Sequence, residues 1–387
     1  MADQHLGKFW KNNNFASNRA KKLIESFIYN LENCTDDKEN TNLILAGDIY
    51  DSIHTNAEML VYIKKRLNDS LNKFNHIYVI AGNHETFIDK SGEQQTLLSV
   101  ALDSNKTDLY VSGVYSKILE DGNNYIFIPH QTNVEDMLEN EVPKHLKVDR
   151  MNIIIAHTTP KEVFSYEKLC IADYIDKYNK LIGDKKLPYI ILGHYHFPMN
   201  IKCKDTEIIS VGNSYYLTVA DLRQIENPKY YKRYLILSNN KITSKAFVLP
   251  KIWKFDVDSQ DQFDKEIVPF IKGETEDEHK IDINDIIYLR SNMIIDYSVL
   301  MFDGYDVYFD MLENTEDGII TLKESLTENI TSNSSGKTLL ERWDRYIELI
   351  PDSIFNENEK KLATWLFSKR NDCDISLDQI RSILGGL

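Results

Sequence analysis

Four short fragments of this chain combine residue types that bind divalent metal ions. In chain order they are Asp3-Gln4-His5, Gly47-Asp48, Gly82-Asn83-His84-Glu85 and Gly193-His194-Tyr195-His196. A further histidine, His157, lies between the third and the fourth fragment. A two-metal phosphoesterase needs a bridging carboxylate and further ligands, with the ions roughly 3.5 to 4 Å apart so that both contact the phosphoryl oxygens and an attacking hydroxide. The fragments therefore predict a dinuclear site that hydrolyses phosphate esters.

Seven of these side chains are the predicted metal ligands, with Asp48 as the bridge between the two ions. The first metal takes Asp3, His5, Asp48 and His196, and the second takes Asp48, Asn83, His157 and His194. A mixed shell of His, Asp and Asn suits manganese, iron or zinc better than magnesium, which prefers oxygen ligands. Two divalent ions are therefore the predicted cofactor, with Mn²⁺ as the first choice.

Four other polar residues are predicted to act beside the ligands. His84 is the catalytic candidate, because a protonated imidazole could stabilise the transition state and give a proton to the leaving oxygen. Asp51 and Glu85 are candidates for orienting a ligand histidine or a metal-bound water. His130 follows a predicted strand and is a candidate for facing the cleft. The remaining histidines lack such context and are interpreted as solvated or structural.

The elements that must position these residues are short apolar strands. Four of them end at a predicted ligand, namely residues 42–46, 76–81, 151–156 and 187–192. Runs of β-branched residues that are apolar on both faces are typical of buried parallel strands, which carry a site at their carboxyl ends. Residues 20–33 and 56–74 have the apolar spacing of helices that cover a sheet. The first part of the chain is thus predicted to be an α/β sheet.

The pattern changes beyond Pro250, which predicts a division into three parts. These are a catalytic domain at 1–250, a small α+β cap domain that shapes the substrate groove at 251–330, and a linker with a helical module at 331–387. Predicted strands of the cap domain are residues 286–290, 293–299, 305–309 and 318–322.

The helical module is predicted to bind a partner. Its apolar face includes Leu340, Trp343, Ile347, Trp365 and Leu366. Two helices with two tryptophans are more apolar surface than so short a tail buries by itself. Docking of these helices onto the core of the same chain is the alternative.

Composition describes an ordinary globular chain with a strong negative charge. The net charge is −15, and residues 272–328 carry fifteen acidic against four basic side chains. The rest of the chain is nearly neutral, so it does not bind DNA tightly by counterion release alone. No apolar run of membrane-spanning length or signal sequence is present, and a cytoplasmic location is expected. Four separated cysteines without a C-x-x-C pair argue against disulfides and a zinc knuckle.

The order D-x-H, G-D, G-N-H-E, H, G-H-x-H resembles the calcineurin-like metallophosphoesterase superfamily over about residues 1–250. Within it, residues 2–8 (A-D-Q-H-L-G-K) resemble the D-W-H-L-G opening of SbcD-type double-strand-break repair nucleases, including phage recombination homologues. Residues 211–215 (V-G-N-S-Y) and 226–230 (E-N-P-K-Y) resemble the G-S loop and the N-P-K turn of the same family.

This resemblance implies a double-sheet sandwich flanked by helices and a manganese-dependent DNA exonuclease and endonuclease. It also implies carboxyl-terminal helices that clasp an SMC-like ATPase of the SbcC type, and a homodimer within a heterotetramer. In a phage protein the location would be the host cytoplasm. The ATPase would supply the DNA affinity that an acidic chain lacks.

The chain departs from the family pattern at its start. Only Met1 and Ala2 precede Asp3, where the family has a complete strand, so either the start lies upstream or a frayed chain end holds the first metal. Gln4 stands where the family commonly has tryptophan. Asp51 stands where archaeal and eukaryotic relatives have histidine, which points to the bacterial and phage branch.

Three functions are compatible with these residues. The first is the DNA nuclease subunit. The second is a phosphatase or phosphodiesterase for a small substrate, which would need neither the cap domain nor the helical module. The third is a non-catalytic scaffold of the same fold that binds the ATPase.

Overall fold

The structure of the protein is a computed structural model that describes residues 1–8, 14–53, 57–102, 105–165, 167–183, 186–225, 227, 230–274, 281–315 and 318–321. It divides into two compact units, Met1–Leu249 and Pro250–Leu387. The predicted helical module, with Leu340, Trp343, Ile347, Trp365 and Leu366, lies outside the described residues, as does most of the predicted N-P-K turn. The functions assigned to the three predicted domains stay predictions.

The described part of the first unit contains one parallel sheet, one mixed sheet with parallel central strands, and two hairpins. Its strands are β1 Asn42–Ala46, β2 His76–Ile80, β3 Thr86–Ile88, β4 Gln94–Thr96, β5 Thr107–Tyr110, β6 Tyr115–Ile118, β7 Asn124–Ile128, β8 Asn152–His157, β9 Tyr189–Gly193, β10 Met199–Cys203, β11 Thr206–Ser210, β12 Arg233–Ser238 and β13 Lys241–Ala246. A three-stranded parallel sheet has the order β1-β2-β5. A six-stranded sheet has the order β10-β11-β9-β8-β7-β6, in which β11, β9, β8 and β7 are parallel. Strands β3 with β4 and β12 with β13 form the antiparallel hairpins.

Helices of the first unit lie between these strands in the chain. They are α1 Asn14–Asn33, α2 Ala57–Leu71, α3 Leu98–Ala101, α4 Val134–Asp136, α5 Val142–His145, α6 Ile171–Ile182 and α7 Val219–Arg223, with a 3₁₀ turn at Lys38–Asn40 and a π-helical turn at Met137–Glu141. Arg66 of α2 donates to Glu25 of α1, at 2.9 Å from Nε and 2.5 Å from Nη2, which ties the two long helices together. No helix among the described residues is long and apolar enough to cross a membrane.

The two sheets pack face to face, and this sandwich explains the continuous apolar strands. Tyr78 and Ile80 of the three-stranded sheet share one buried core with Phe127 and Ile155 of the six-stranded sheet. Successive residues of a strand point to opposite faces. Ile154, next to Ile155, accordingly belongs to a second core on the far side of the six-stranded sheet.

Helix α6 covers that far side. Its residues Ile171, Ile175, Tyr178 and Ile182 are buried and belong to the same core as Ile154. Both faces of β8 are therefore covered, and all six of its residues are buried. A helix, sheet and sheet layering of this kind agrees with the predicted α/β sandwich.

The described part of the second unit is a smaller sheet with helices. Its elements are β14 Ile252–Asp256, α8 Gln260–Gln262, a π-helical turn Phe263–Ile267, α9 Val268–Lys272, β15 Ile286–Ser291, α10 Ser298–Phe302, β16 Asp306–Thr315 and β17 Gly318–Thr321. The sheet order is β14-β15-β16-β17, with β17 antiparallel to β16. Phe263, Ile271, Leu289 and Leu300 belong to its own core.

The strand predicted at residues 293–299 is wrong. In the structure a loop leads into α10, and the backbone N–H of Ser298 donates to Asp296 Oδ1 at 3.0 Å. Asp296 N in turn donates to Gln260 Oε1 at 2.8 Å, a partner distant in sequence. Local side-chain acceptors of this kind compete with a strand ladder, so the apolar residues are buried from a loop and a helix instead. Strand β14 and the helices before residue 273 were not predicted.

Candidate metal centre

The carboxyl ends of four strands meet at one edge of the sandwich. Strands β1, β2 and β9 lead into Asp48, Asn83 and His194, and β8 ends on His157. His157 Nδ1 lies 2.8 Å from the carbonyl oxygen of Ala46 at the end of β1, which links the two sheets at this edge. The sheet topology therefore brings together side chains that are up to 146 positions apart in the sequence.

Residues 1–6 are largely buried and are hydrogen-bonded to β1 and the loop after it. Asp3 and His5 are therefore not held by a frayed chain end. Met1 N donates to Ile44 O at 2.9 Å, and Asp3 N donates to Gly47 O at 3.0 Å. His5 N donates to the carbonyl oxygen of Asp48 at 2.9 Å. Asp3 and His5 are both 0% exposed. Residues 1–6 thus run alongside β1 and its loop.

The first cluster consists of Asp3, His5 and His196, whose potential ligand atoms all lie within 4.8 Å of one another. The Nε2 atoms of His5 and His196 are 3.0 Å apart. The carboxylate of Asp3 also accepts the backbone N–H of His194, at 2.9 Å for Oδ1 and 3.1 Å for Oδ2. These are the three residues predicted to join Asp48 around the first metal.

The second cluster consists of Asp48, His157 and His194, again with ligand atoms within 4.8 Å of one another. Asn83 lies among them, because its Oδ1 is 2.8 Å from His194 Nδ1 and 3.2 Å from His157 Nε2. All four residues predicted to hold the second metal are therefore in one place.

Asp48 lies between the two clusters, as a bridging ligand must. Its Oδ2 atom is 3.2 Å from His157 Nε2 of the second cluster and 3.8 Å from His5 Nε2 of the first. Its Oδ1 atom accepts the backbone N–H of His84 at 3.0 Å. Oδ2 is buried and has no hydrogen-bond partner among the described residues, so an acceptor remains available there. Burial opposes ionisation, but the charge of His157 holds the pKa of Asp48 well below its usual range.

Burial and neighbouring charges shift the pKa values of the other ligands. Burial, together with the charge of Asp48, raises the pKa of Asp3 to about 6. Burial alone would lower the pKa of His157, but the charge of Asp48 outweighs it and raises this pKa to about 10. Burial and a positive neighbour lower the pKa of His194 to about 4 and that of His196 to about 3. Near neutral pH the imidazoles of His194 and His196 are thus neutral and Asp48 is ionised, which are the forms that bind a cation, whereas His157 has to release a proton when an ion binds.

The backbone is strained where it presents these ligands. Among the described residues other than glycine, seven have positive φ, and four of the seven are predicted ligands: Asp3 (54°), His5 (49°), Asp48 (52°) and His194 (85°). Left-handed backbone is unfavourable for such residues and is concentrated at functional sites.

Glycines allow the close approach of backbone at the same place. A Cβ atom on Gly47 would lie 2.1 Å from His157 Nδ1, and one on Gly82 would lie 2.1 Å from Asp48 Oδ1. A Cβ atom on Gly193 would lie 2.1 Å from the carbonyl oxygen of Ala46. These contacts are shorter than atoms tolerate, so the glycines predicted beside the ligands are required there.

His84 is held beside the first cluster. Its Nδ1 atom is 2.7 Å from the carbonyl oxygen of Asp51, to which it donates. Its ring meets that of His5 edge to face with centroids 4.6 Å apart. His84 also lies within 4.8 Å of ligand atoms of His5 and Asp48, so it belongs to the same centre.

Asp51 contacts the first cluster, and His130 contacts the second. Asp51 Oδ1 is 3.0 Å from His5 Nδ1, the arrangement that fixes the tautomer of a ligand histidine. The ring of His130 is stacked on that of His194 with centroids 6.0 Å apart and lies 6.2 Å from that of His157.

Glu85 has a different contact from the one predicted. Its Oε1 atom accepts the backbone N–H of Gly82 at 3.0 Å, and its Oε2 atom accepts that of Tyr50 at 3.1 Å. Burial, with the charge of Asp48, raises the pKa of Glu85 to about 8. Glu85 therefore ties together the backbone of the loops after β1 and β2 and does not orient a ligand histidine.

Three polar residues near the first cluster were not predicted as site residues from the sequence. Asn213, Asp221 and Lys232 form a buried network next to His196. The only sequence signal was the resemblance of residues 211–215 to a family loop. Asp221 and Lys232 are single charged residues without ligand spacing, which a sequence normally places on the surface.

The residues of the centre fit divalent metal ions. Buried nitrogen and oxygen atoms converge in the two clusters, and Asp48 Oδ2 makes no hydrogen bond among the described residues. A cavity of about 700 Å³ elsewhere in the first unit is lined by Ile44, Ile155, Leu235 and other mostly apolar residues, and none of the predicted site residues borders it. The strand ends, not this cavity, hold the chemistry.

Comparison with known proteins gave two kinds of match, to solved structures and to a protein family. Similar solved structures include phosphopantetheinyl hydrolase (PptH) from Mycobacterium tuberculosis, at 13% identity over 60% of this chain and 92% of that chain, with a TM-score of 0.33. GAP50, the anchor in the inner membrane complex of Plasmodium, is similar at 16% identity over 62% of this chain and 82% of that chain, with a TM-score of 0.36. The comparison with curated proteins gave no match. The calcineurin-like phosphoesterase family matches residues 2–198, just over half of the 387 residues, and this chain belongs to that family of metal-dependent phosphoester hydrolases.

Proposed function

We propose that the protein is a two-metal-dependent nuclease that hydrolyses phosphodiester bonds in DNA, as an exonuclease and endonuclease. One observation carries the proposal: residues 2–8 and 211–215, whose sequences resemble the SbcD-type nucleases, both border the first cluster. Asn213 N donates to the carbonyl oxygen of His196 at 3.1 Å, and Ser214 N donates to that of Asp3 at 3.4 Å. The two segments whose sequences resemble those nucleases therefore contact each other at the ligands Asp3 and His196, which supports the proposal.

In the proposed hydrolysis, bound ions would activate the phosphate and the water, and His84 would act as the general acid. Two divalent ions, if held by the residues of the two clusters, would supply Lewis-acid activation of the phosphate and of the attacking water. The Nδ1 atom of His84 donates a hydrogen bond to the carbonyl oxygen of Asp51. Nε2 is therefore the atom that gives a proton to the leaving oxygen. Asp48 accepts the backbone N–H of His84, which keeps this acid at a fixed place relative to the bridging carboxylate.

Manganese is the proposed ion at both positions. The ligand set supplies imidazoles from His5, His157, His194 and His196, carboxylates from Asp3 and Asp48, and an amide oxygen from Asn83. Magnesium prefers an octahedron of oxygen atoms, whereas imidazole and carboxylate together suit manganese, iron or zinc. The two clusters have different donor sets, so their affinities for one metal should differ.

We also propose that the protein works with an SMC-like ATPase and as a dimer within that complex. The support comes from the sequence alone, in the apolar face predicted for residues 338–367. A net charge of −15 makes unaided binding to DNA weak, because DNA affinity depends on cationic contacts with phosphates. A cationic ATPase surface would remove that obstacle.

The same acidic charge favours a second candidate, a phosphatase or phosphodiesterase for a small substrate. Such a substrate would need only the metal centre of the first unit. A non-catalytic scaffold is less well supported, because every side chain predicted for catalysis and metal binding is present and the predicted ligands lie together.

The test compares the parent protein with a His84→Ala variant in the presence of Mn²⁺. Linear duplex DNA and a generic aryl phosphodiester serve as substrates. We expect the parent to degrade both and the variant to lose activity by about 10²- to 10⁴-fold, the usual contribution of a general acid. His145→Ala is the matched control and should leave activity unchanged, since His145 O accepts from Asn124 at the start of β7, the end of the sheet opposite the predicted ligands.

Each outcome has a defined meaning. Cleavage of the aryl ester but not of DNA, with or without added ATPase, would favour the small-substrate enzyme. A parent that binds Mn²⁺ but cleaves neither compound would favour the scaffold.

A further inference from the structure

A buried ion pair lies behind the first cluster. Lys232 Nζ is 2.5 Å from Asp221 Oδ1, and the side chains of these residues are 2% and 1% exposed. Lys232 also donates to Asn213 Oδ1, and Asn213 Nδ2 donates to Asp221 Oδ1 at 3.2 Å. The three side chains thus form a closed triangle of hydrogen bonds.

The second carboxylate oxygen of Asp221 binds the backbone next to this triangle. Its Oδ2 atom accepts the backbone N–H of Leu217 at 3.1 Å and that of Thr218 at 2.9 Å. The Thr218 side chain and Asp221 also form the capping box at the start of α7. The network is therefore anchored to a helix terminus and to the start of β12.

Asn213 joins the network to two predicted ligands. Its backbone N–H donates to the carbonyl oxygen of His196 at 3.1 Å, and Ser214 N donates to the carbonyl oxygen of Asp3 at 3.4 Å. A Cβ atom on Gly212 would lie 2.8 Å from Pro198 N and 3.1 Å from the carbonyl oxygen of His196, so the two segments are in tight contact.

Stability alone is a poor reason for this ion pair. Removing two charges from water is costly, and replacing a buried pair with apolar residues is often neutral or stabilising. A lysine also repels cations, so its position behind a metal centre needs its charge balanced by Asp221. What the triangle does provide is a fixed position for Asn213.

We infer that Asn213, Asp221 and Lys232 are positioning residues that hold the backbone of Asp3 and His196 and so set the affinity of the first cluster for its ion. The inference rests on the proposed two-metal centre. It assigns no contact of these residues with substrate or with the ions themselves.

Two variants test the inference, Asn213→Ala and Lys232→Met. Each removes hydrogen bonds of the triangle, and Asn213→Ala leaves the buried ion pair in place, so it carries the test if Lys232→Met fails to fold. We expect the Mn²⁺ site of the first cluster, which is the site that His5→Ala removes, to lose about 10- to 100-fold in affinity, as for other outer partners of metal ligands. The other site should stay within about twofold of the parent.

The measurement is calorimetric titration of the metal-stripped full chain with MnCl₂, with thermal unfolding of the same samples. Asn152→Ala is the matched control, because Asn152 is a fully buried polar residue that accepts from Asn124 at 2.8 Å at the opposite end of β8 from His157. We expect it to lower the unfolding temperature without changing either affinity.

The outcomes separate this inference from the proposed function. Variants that unfold earlier but bind both ions as the parent does would overturn the positioning role and leave the metal centre intact, as would equal weakening of both sites. A parent that binds no Mn²⁺ would overturn the centre itself, and this inference with it.

Discussion

The two ligand clusters are held by different kinds of backbone. In the second cluster, Asn83, His157 and His194 stand at or just beyond the ends of β2, β8 and β9, whose positions are fixed by ladders of parallel strands. In the first cluster, Asp3 and His5 come from residues 1–6, which contact the sheet edge through separate hydrogen bonds. The ligands of the second cluster are therefore positioned by strand pairing, whereas Asp3 and His5 of the first cluster are positioned by a separate segment that contacts the sheet edge.

The two clusters should therefore differ in how readily they open and lose an ion. Opening the second cluster would require several ladder hydrogen bonds to break together, whereas the first depends on the chain start, the loop after β9 and the buried triangle at Lys232. Regions with fewer cooperative contacts open at lower free energy. We expect the first cluster to lose its ion more readily, and the following variants test that contrast.

Asp48→Ala should abolish the contrast by removing the ligand that the clusters share. Since Asp48 Oδ2 lies 3.2 Å from His157 Nε2 and 3.8 Å from His5 Nε2, both ions lose a ligand at once. We expect both to be lost on dialysis and phosphodiesterase activity to fall by at least about 10³-fold. Metal content by mass spectrometry and hydrolysis rates measure these effects.

Asp108→Ala is the control for this change, because Asp108 pairs with Lys117 on β6 and is not a predicted ligand. It should retain both ions. Retention of one ion at parental affinity by Asp48→Ala would contradict the bridging role and assign Asp48 to a single cluster.

The pair His157→Ala and His5→Ala should separate the clusters. We expect each variant to lose one ion by at least about 100-fold in affinity and to retain the other, since each histidine belongs to one cluster. His157→Ala should also lower the free energy of unfolding of the metal-free protein by about 3 kcal/mol, because the contact of His157 Nδ1 with Ala46 O is lost and the buried charge of Asp48 loses its partner at 3.2 Å. Titration with Mn²⁺ and denaturant unfolding provide the readouts.

The unfolding measurement distinguishes the two histidines independently of any metal. His5 contacts the side chain of Asp51, which is 28% exposed and can bind water when His5 is removed. His5→Ala should therefore destabilise the metal-free protein less than His157→Ala. The reverse order would mean that residues 1–6, not the sheet junction, limit stability.

The same contrast explains what the sequence could reveal. Strands β1, β2, β8 and β9 were predictable because each is a short apolar run that leads directly, or after one alanine, into Gly or a ligand. Predicting the second cluster follows from that pattern, since parallel strands end at one edge. The first cluster needed motif recognition, because nothing local indicates that residues 1–6 lie beside the loop after β1.

Contacts between distant side chains were the part that the sequence could not supply. Lys232 and Asp221 read as surface charges until the fold buries both together. Glu85 was predicted to orient a ligand histidine or a metal-bound water, and in the structure its carboxylate oxygens accept backbone N–H groups, which all residues except proline carry. The strand predicted at residues 293–299 failed for the same reason, as Gln260 binds Asp296 from 36 positions away.

The smallest expected effect comes from Asp51, which supports the first cluster without binding its ion. Asp51 Oδ1 lies 3.0 Å from His5 Nδ1, so it keeps the hydrogen on Nδ1 and leaves Nε2 for the metal. Asp51→Asn retains an acceptor oxygen but no charge, and we expect about a 10-fold loss of affinity at the first cluster. Asp51→Ala removes the acceptor as well and should approach a 100-fold loss.

Calorimetric titration of both variants with Mn²⁺ tests whether charge or tautomer control matters more. Equal losses in the two variants would mean that the negative charge of Asp51 dominates, since an amide oxygen then gives no protection. A loss confined to Asp51→Ala would mean that the hydrogen bond to His5 dominates. Weakening of the second cluster in either variant would contradict the separation of the two clusters, because Asp51 contacts His5, Lys8 and His84, and none of these residues belongs to the second cluster.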